Sequence, residues 1–292
     1  MNKSSKKRRI IPGEIPTKNL HQYLLGSVSP RPIALVSTID KDGNNNLAPY
    51  SFFNAFSSNP PIVVFSSNRK VTDNTTKDTL HNILQVKECV ISAVSYDIMR
   101  QMVLSSVAFP SEISEFEKTG LTPSKSETVA VPGVVESPVN MECKVKEIIT
   151  LGTHGGAGHL IVCEIQMMHV SEAVLDGDKI DPHKIDLIGR MGRTYYVRAS
   201  GNAVFSQYQN IMDNPIGYEN LPNIAKSSKI LTGNDIGHLA ALSTMPSAEE
   251  IINVSKDILS SSNIEQYCAD LIANKKIHEA LTILLAANNT KL

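Results

Sequence analysis

The segment that most constrains the fold of this chain covers residues 46–69, with the sequence NLAPYSFFNAFSSNPPIVVFSSNR. Pro49 and the pair Pro60-Pro61 fix φ and remove backbone donors, so one continuous regular element cannot span the segment. Residues 62–65, IVVF, combine β-branched and aromatic side chains, which predicts a buried strand. Small polar groups and a guanidinium, which suit an anion, follow at the strand end: Ser66, Ser67, Asn68 and Arg69.

Two further motifs accompany this segment, SPRPIALVST at residues 29–38 and KDT at residues 77–79. In this order the three motifs resemble the flavin reductase-like family, and within it the flavoredoxin group. The resemblance covers residues 13–201 and continues weakly into LTGNDIG at residues 231–237. It implies an FMN-binding split β-barrel that forms a homodimer.

The strand pattern predicts a mainly β fold with added helices, in the form of an antiparallel split barrel. Residues 89–94, 139–145 and 160–165 are predicted strands, separated by turns and short helices without βαβ regularity. In residues 139–145 the apolar and polar side chains alternate, which predicts one buried face and one wet face. That alternation places Asn140 and Glu142 on the wet face.

Four regions are predicted along the chain. A basic flexible tail at residues 1–12 precedes the FMN-binding split-barrel domain at residues 13–201. An irregular connecting segment at residues 202–247 then leads to a helical C-terminal appendage at residues 248–292, where apolar residues recur at helical spacing. Within the barrel domain, helices are expected at residues 97–104 and directly after Lys77, the latter capped by Asp78 or Thr79. Residues 108–126 are expected to form a long irregular segment.

Composition gives no support for several classes of partner. The chain of 292 residues has a net charge of −1 and no Trp, which gives no argument for a nucleic acid or a membrane surface. No apolar run approaches the roughly 20 residues that cross a bilayer. Four cysteines without CxxC spacing are expected as buried free thiols in a reducing cytoplasm: Cys89, Cys143, Cys163 and Cys268. His154 and His159 lack the spacing of a metal motif, so no metal is expected.

A phosphate group is expected to bind at the end of the strand that covers residues 62–65. Arg69 supplies a guanidinium fork and Lys77 a point charge, while the N-terminus of the following helix adds free N–H groups. The small donors of this cluster are Ser66, Ser67, Asn68 and Thr79, and Asp78 is assigned there mainly as a helix cap. The alternative is that Arg69 and Lys77 are solvated loop charges.

The isoalloxazine ring is assigned by the resemblance, because the family loop that matches residues 48–54 lines this part of the cofactor. The residues assigned are Pro49, Tyr50, Ser51, Phe53 and Asn54. At least one of Phe52, Phe53 and Phe56 is expected in the core instead. Arg31, between two prolines, is left open between a flavin or interface contact and a plain surface role.

No catalytic residue is assigned from the sequence. Related flavin reductases carry a Gly-Asp-His motif that contacts nicotinamide, and the matching residues here are Ala157, Gly158 and His159. Only the histidine is retained, so His159 is a weak candidate for the nicotinamide contact, with a strand-end surface position as the alternative.

The resemblance implies a cytoplasmic flavin reductase that moves electrons from NADH or NADPH through FMN to an acceptor. The incomplete Gly-Asp-His motif keeps open a flavin-binding electron carrier or sensor without NAD(P)H turnover. A pyridoxamine phosphate oxidase-like enzyme on a related barrel is a third possibility.

Overall fold

The computed structural model describes residues 6–207 and 214–290. The chain divides into two compact units, one formed by Arg9–Phe205 and the other by the described residues of Met1–Arg8 and Ser206–Leu292. No helix in the described ranges is long and apolar enough to cross a membrane. Parts of three predicted regions lie outside the described residues: residues 1–5 of the basic tail, residues 208–213 of the connecting segment and residues 291–292 of the appendage.

The unit Arg9–Phe205 contains thirteen strands and four α-helices in its described residues. The strands are β1 Ala34–Ile39, β2 Asn45–Tyr50, β3 Phe53–Ser58, β4 Pro61–Asn68, β5 Glu88–Ala93, β6 Pro123–Ser124, β7 Gly133–Val134, β8 Val139–Thr150, β9 Gly158–Val170, β10 Leu175–Asp176, β11 Lys179–Ile180, β12 Ile188–Arg190 and β13 Tyr196–Arg198. The helices are α1 Thr17–Ser27, α2 Asp78–Val86, α3 Met99–Leu104 and α4 Glu115–Thr119.

Seven of these strands form one antiparallel sheet in the order β2-β1-β5-β8-β9-β4-β3. The predicted mainly β fold class with added helices is therefore confirmed. One face of the sheet encloses the barrel core, and α2 packs against it through Leu80 and Ile83. The opposite face, around Leu35 and Leu47, packs against Met102 of α3 and Phe116 of α4.

The predicted wet face of β8 is wrong at Asn140 and Glu142, since both side chains are buried. Asn140 is hydrogen-bonded to Val134 through both backbone groups of that residue. Glu142 accepts hydrogen bonds from the amides of Glu127 and Thr128, and its carboxylate also contacts His169. The segment before β8 thus covers this face, which alternation within one strand cannot reveal.

Two local predictions also need correction. The N-cap of α2 is Lys77, without a side-chain capping bond, so neither Asp78 nor Thr79 caps this helix. Residues 108–126 are not wholly irregular, because they contain α4, whose Phe116 reaches the core. Helix α1 was not predicted, and none of its residues is buried, which explains its weak apolar periodicity.

The second unit is helical in its described residues. Its α-helices are α5 Asn223–Ser227, α6 Gly233–Ala240, α7 Ala248–Ile252, α8 Lys256–Leu259, α9 Ile264–Ala273 and α10 Ile277–Thr290. Residues 202–247 therefore differ from the predicted irregular connection, since α5 and α6 lie within them. Leu239 of α6 and Leu284 of α10 belong to the same apolar core, so this segment folds with the C-terminal helices.

The four cysteines are free and buried, as predicted. Cys89, Cys143 and Cys163 share the barrel core on β5, β8 and β9, with 3.7 Å between the sulfurs of Cys89 and Cys163. The Cys143 thiol lowers the pKa of Cys89, but the Cys163 thiol and burial outweigh this effect and raise that pKa well above its usual range, so Cys89 stays protonated at neutral pH.

Candidate functional site

A pocket of about 290 Å³, here called the basic pocket, opens where α1 and the ends of β2 and β4 meet. Its lining consists of His21, Leu25, Arg31, Pro49, Tyr50, Ser51, Phe52, Ser66, Asn68, Lys77 and Arg190. Four of these side chains are basic, and no Asp or Glu is among the described residues that line it. Such a lining creates a positive potential that favours an anionic ligand.

Lys77 is one of the basic side chains that line the pocket. Its Nζ lies 4.8 Å from the centroid of the Tyr50 ring. Burial lowers the pKa of Lys77, the charge of Lys70 lowers it further, and Glu115 opposes the change. Among the ion pairs of the described residues, none involves Lys77. A partly buried ammonium without a carboxylate partner would be stabilised by a bound anion.

Arg31 forms one wall of the basic pocket and is 4 % exposed, so a plain surface role for it is wrong. Its Nη1 donates to the carbonyls of Leu25 and Val28, at 2.7 and 2.5 Å, and its Nη2 donates to the carbonyl of Met191 at 3.2 Å. Burial lowers the pKa of Arg31, and the nearby charge of Arg190 lowers it further. Arg31 therefore joins α1 to the turn after β12 and contributes charge to the pocket.

Ser66 and Asn68 form the polar edge of the pocket on β4. The Ser66 hydroxyl donates to Asn68 Oδ1 at 2.7 Å, which fixes both side chains on the same face of the strand. Gly158 faces them from β9, where a Cβ would lie 2.5 Å from Ser66 Oγ. Glycine at this position therefore keeps the Ser66 hydroxyl in place.

Ser67 and Arg69 lie on the other face of the same chain segment, because successive residues of a strand point in opposite directions. Ser67 is buried, and Arg69 Nη1 donates to the Asn74 carbonyl at 3.0 Å, within the loop before α2. Neither is among the residues that line the basic pocket.

Four buried side-chain atoms have no hydrogen-bond partner within the described residues: Tyr50 OH, Ser67 Oγ, Arg69 Nε and His159 Nε2. Burial raises the pKa of Tyr50 to about 12, against the opposing effect of the Thr79 and Ser67 hydroxyls. The phenol is therefore neutral at physiological pH. Thr79 Oγ1 accepts a hydrogen bond from Asn46 at 2.9 Å, so it too lies at this inner cluster.

The structure brings six of the predicted residues together around the basic pocket: Pro49, Tyr50, Ser51, Ser66, Asn68 and Lys77. The other six line no part of this pocket: Phe53, Asn54, Ser67, Arg69, Asp78 and Thr79. Phe53 packs against the barrel core, whereas Asn54 is exposed and accepts a hydrogen bond from the Ala55 amide. Direct flavin contacts of these twelve residues stay predictions.

His159 is not the strand-end surface residue of the alternative interpretation, because it is 8 % exposed. Its Nδ1 lies 3.0 Å from Thr150 Oγ1. Burial lowers the pKa of His159, and the charge of Arg69 lowers it further. The nicotinamide contact of His159 stays a prediction.

Sequence reasoning did not assign His21, Leu25, Phe52 and Arg190 to the site. His21 and Leu25 are four residues apart on α1, a spacing that places both on one helix face. Arg190 begins the RMGRTYYVR segment, and Arg31 pairs with it through backbone hydrogen bonds of 3.0 and 2.8 Å. No local sequence pattern indicates that Arg190 lies beside Arg31.

A second, smaller pocket of about 180 Å³, here called the side pocket, adjoins the basic pocket. The two share Pro49, Tyr50, Ser51 and Arg190. The side pocket is completed by Ile33, Met102, Val103, Ser106 and Tyr196. The turn after β2 therefore separates two cavities of different character.

Comparison with known proteins gives the class to which this fold belongs. The model of the family described as flavin reductase like domain matches residues 25–182, more than half of the chain. The chain therefore belongs to the flavin reductase-like family, as the sequence motifs predicted. Membership of this family supports an oxidoreductase activity that involves flavin.

This chain aligns with most of the length of several individual proteins. An uncharacterized protein of Aquifex aeolicus is 42% identical over 184 residues, which is 62% of this chain and 91% of the relative. Component B of nitrilotriacetate monooxygenase from Bacillus cereus has a TM-score of 0.64 and 31% identity, covering 70% of this chain and 100% of its own. The 2-nitrobenzoate 2-nitroreductase NbaA of Pseudomonas fluorescens has a TM-score of 0.61 and 30% identity, and the match covers 71% of this chain and 99% of that protein.

Proposed function

We propose that the protein is an FMN-binding oxidoreductase that takes electrons from NADH or NADPH and passes them to an acceptor. The observation that carries this proposal is the basic pocket itself, in which Lys77 has no carboxylate partner among the described residues. Family membership gives the pocket its redox context. Two similar structures are named a monooxygenase component and a nitroreductase, which agrees with that context.

The lining fits a phosphorylated planar cofactor. Lys77 offers charge and the side-chain amide of Asn68, oriented by the Ser66 hydroxyl, offers an N–H donor to a phosphate, beside the N-terminus of the nine-residue helix α2. Pro49 and Ser51 present a small-residue backbone against which a flat ring can lie, and the Phe52 ring adds apolar surface. The residues proposed to bind the phosphate and those proposed to contact the ring thus line the same pocket.

FMN, when bound, supplies the two-electron chemistry, and the protein contributes binding and access. Lys77 and Arg31 neutralise the phosphate charge, which keeps the cofactor in the pocket. Arg31 also holds α1 beside the turn at Ser51, through its bonds to Leu25 and Val28. The neutral Tyr50 forms the floor without adding a negative charge next to the phosphate.

The assembly and location are also proposals. A homodimer follows from the family resemblance, and the free, buried cysteines support a reducing cytoplasm. A flavin-binding carrier without NAD(P)H turnover is the second candidate, because His159 lines neither pocket and the Gly-Asp-His motif is incomplete.

Two measurements test the proposal. FMN titrated into the purified protein should bind with quenching of flavin fluorescence, and FMN should bind more tightly than riboflavin because the phosphate is recognised. Anaerobic addition of NADH or NADPH should then bleach the flavin absorption band. Absence of FMN binding would overturn the proposal, whereas bound FMN that neither nucleotide reduces would favour the carrier.

A further inference from the structure

The side pocket has the dimensions of a site for one small ring. Its volume is about 180 Å³. A protein cavity of about 150 Å³ is filled by benzene, so the side pocket accommodates a six-membered ring with one small substituent.

The far wall of the side pocket is apolar. Ile33, Met102 and Val103 line it together with the ring of Tyr196, and Ile33 and Met102 belong to the core on this face of the sheet. A flat ligand that buries its ring against these side chains gains roughly 25 cal/mol for each Å² removed from water. The wall therefore favours an aromatic body over a flexible polar one.

The wall shared with the basic pocket is cationic. Arg190 stacks on the Tyr196 ring, with its guanidinium carbon 4.4 Å from the ring centroid. Within the described residues, Nη2 donates to the Arg193 carbonyl at 2.7 Å, which leaves other N–H groups of the fork for a ligand. The Ser51 hydroxyl accepts from Arg31 Nε at 3.4 Å, so its own hydrogen is available to a second acceptor.

Arg190 also has an uncompensated charge. Burial lowers the pKa of the nearby Arg31 guanidinium, and the positive charge of Arg190 lowers it further. No ion pair of the described residues involves Arg31 or Arg190. A planar anion with two oxygens is the ligand that a guanidinium fork binds best.

From this combination, we propose that the side pocket binds a monocyclic aromatic carboxylate, with its ring against Met102 and Val103 and its carboxylate at Arg190 and Ser51. Binding of this ligand needs no flavin. The statement that it is a substrate of the protein rests on the proposed function, since the side pocket adjoins the predicted ring site.

Isothermal titration of benzoate, with benzamide as the neutral probe of the same shape, tests the site in FMN-free and FMN-loaded protein. We expect benzoate to bind one site per chain in both forms, about tenfold or more tightly than benzamide. Displacement of benzoate by FMN would show that the side pocket is part of the flavin site and would overturn the inference. Equal binding of benzamide would overturn the carboxylate assignment.

Two substitutions on α3 locate the site. Val103→Trp should fill the pocket and abolish benzoate binding, and the 37 % exposure of Val103 allows the larger side chain without disruption of the core. Leu104→Trp is the matched control, because Leu104 is 41 % exposed on the same helix and lines neither pocket. Unchanged benzoate binding in Val103→Trp would contradict the proposal.

Arg190→Gln tests the charge. It should reduce the preference for benzoate over benzamide to near unity, and a retained preference would contradict the assignment of Arg190. FMN titrations run in parallel separate the two proposals. If the protein binds benzoate but not FMN, the side-pocket proposal is supported and the proposed function is contradicted. If it binds FMN but not benzoate, the proposed function is supported and the side-pocket proposal is contradicted.

Discussion

The ammonium of Lys77 lies 4.8 Å above the ring of Tyr50, and these two side chains connect the basic pocket to the barrel interior. A cation–π contact of this kind contributes about 0.5–2 kcal/mol, less than the cost of burying an unpaired charge. Tyr50 in turn packs on Phe65, with ring centroids 5.0 Å apart. The barrel core therefore holds the Lys77 ammonium at the pocket. Its charge is only partly compensated until an anion binds.

Removal of this cation should weaken FMN binding. Because a charged hydrogen bond to phosphate contributes about 1.5–3 kcal/mol, Lys77→Ala should raise the Kd for FMN roughly ten- to a hundredfold. Fluorescence titration measures the change, and riboflavin binding should be unaffected because it lacks the phosphate. Lys41→Ala, at an exposed position that lines neither pocket, is the control. An unaltered FMN affinity in Lys77→Ala would exclude Lys77 from phosphate binding.

Arg69→Ala should have a smaller effect on the FMN affinity than Lys77→Ala. Arg69 does not line the basic pocket, and its Nη1 donates to the Asn74 carbonyl in the loop that leads to Lys77. The substitution therefore acts indirectly, by loosening this loop. The same titration checks the order of the two variants, and a larger loss with Arg69→Ala would assign the phosphate to the inner face of β4.

Gly158→Ala should disturb the pocket edge from the neighbouring strand. The new Cβ would meet Ser66 Oγ at 2.5 Å, so the hydroxyl must move away from Asn68. We expect a several-fold loss of FMN affinity, with a loss of unfolding free energy of about 1–3 kcal/mol from the crowding. Gly152→Ala, in the same hairpin, is the control, because its Cβ would meet only the Ala157 methyl at 3.3 Å. Equal FMN affinities of the two variants would contradict the predicted role of Ser66.

The fold class and the position of the pocket were predictable from local signals. The prolines at 49 and 60–61 indicated that the segment is interrupted, the apolar run at residues 62–65 located β4, and the polar residues after that run marked the pocket edge. The sequence prediction treated the residues at the end of β4 as one cluster. It therefore did not say on which side of the strand each side chain lies. Strand alternation divides that cluster into Ser66 and Asn68 on the pocket side and Ser67 and Arg69 on the inner side.

Other site residues depend on contacts between distant segments. Arg31 and Arg190 meet through backbone hydrogen bonds across about half the chain, which no local pattern encodes. Glu142 and Asn140 have the alternation of a solvent-facing strand and are nevertheless buried, because the segment before β8 supplies partners from other positions. Polar residues on a strand are thus ambiguous until their partners are known.

The carboxylate of Glu142 should make stability depend on acid pH. Burial raises the pKa of Glu142, but hydrogen bonds from Thr128, the Glu127 amide and His169 outweigh this effect and lower the pKa from 4.5 to about 2. A group whose pKa is lower in the folded state stabilises the fold above its unfolded pKa. The stabilisation, roughly 2–3 kcal/mol, should therefore be complete above about pH 5 and should disappear as the pH falls toward 2.

Glu142→Gln tests this dependence. At pH 7 the variant should lose about 2 kcal/mol of unfolding free energy in urea, because an amide offers one acceptor oxygen where Glu142 uses both carboxylate oxygens. Between pH 5 and about 2.5 the gap between wild type and variant should narrow steadily, since Glu142 becomes protonated in the unfolded wild type while it stays ionised in the folded protein. Glu147→Gln, at an exposed position on the same strand, should leave the curve of stability against pH unchanged. A constant gap across this pH range would show that packing, and not the charge of Glu142, holds the segment before β8 in place.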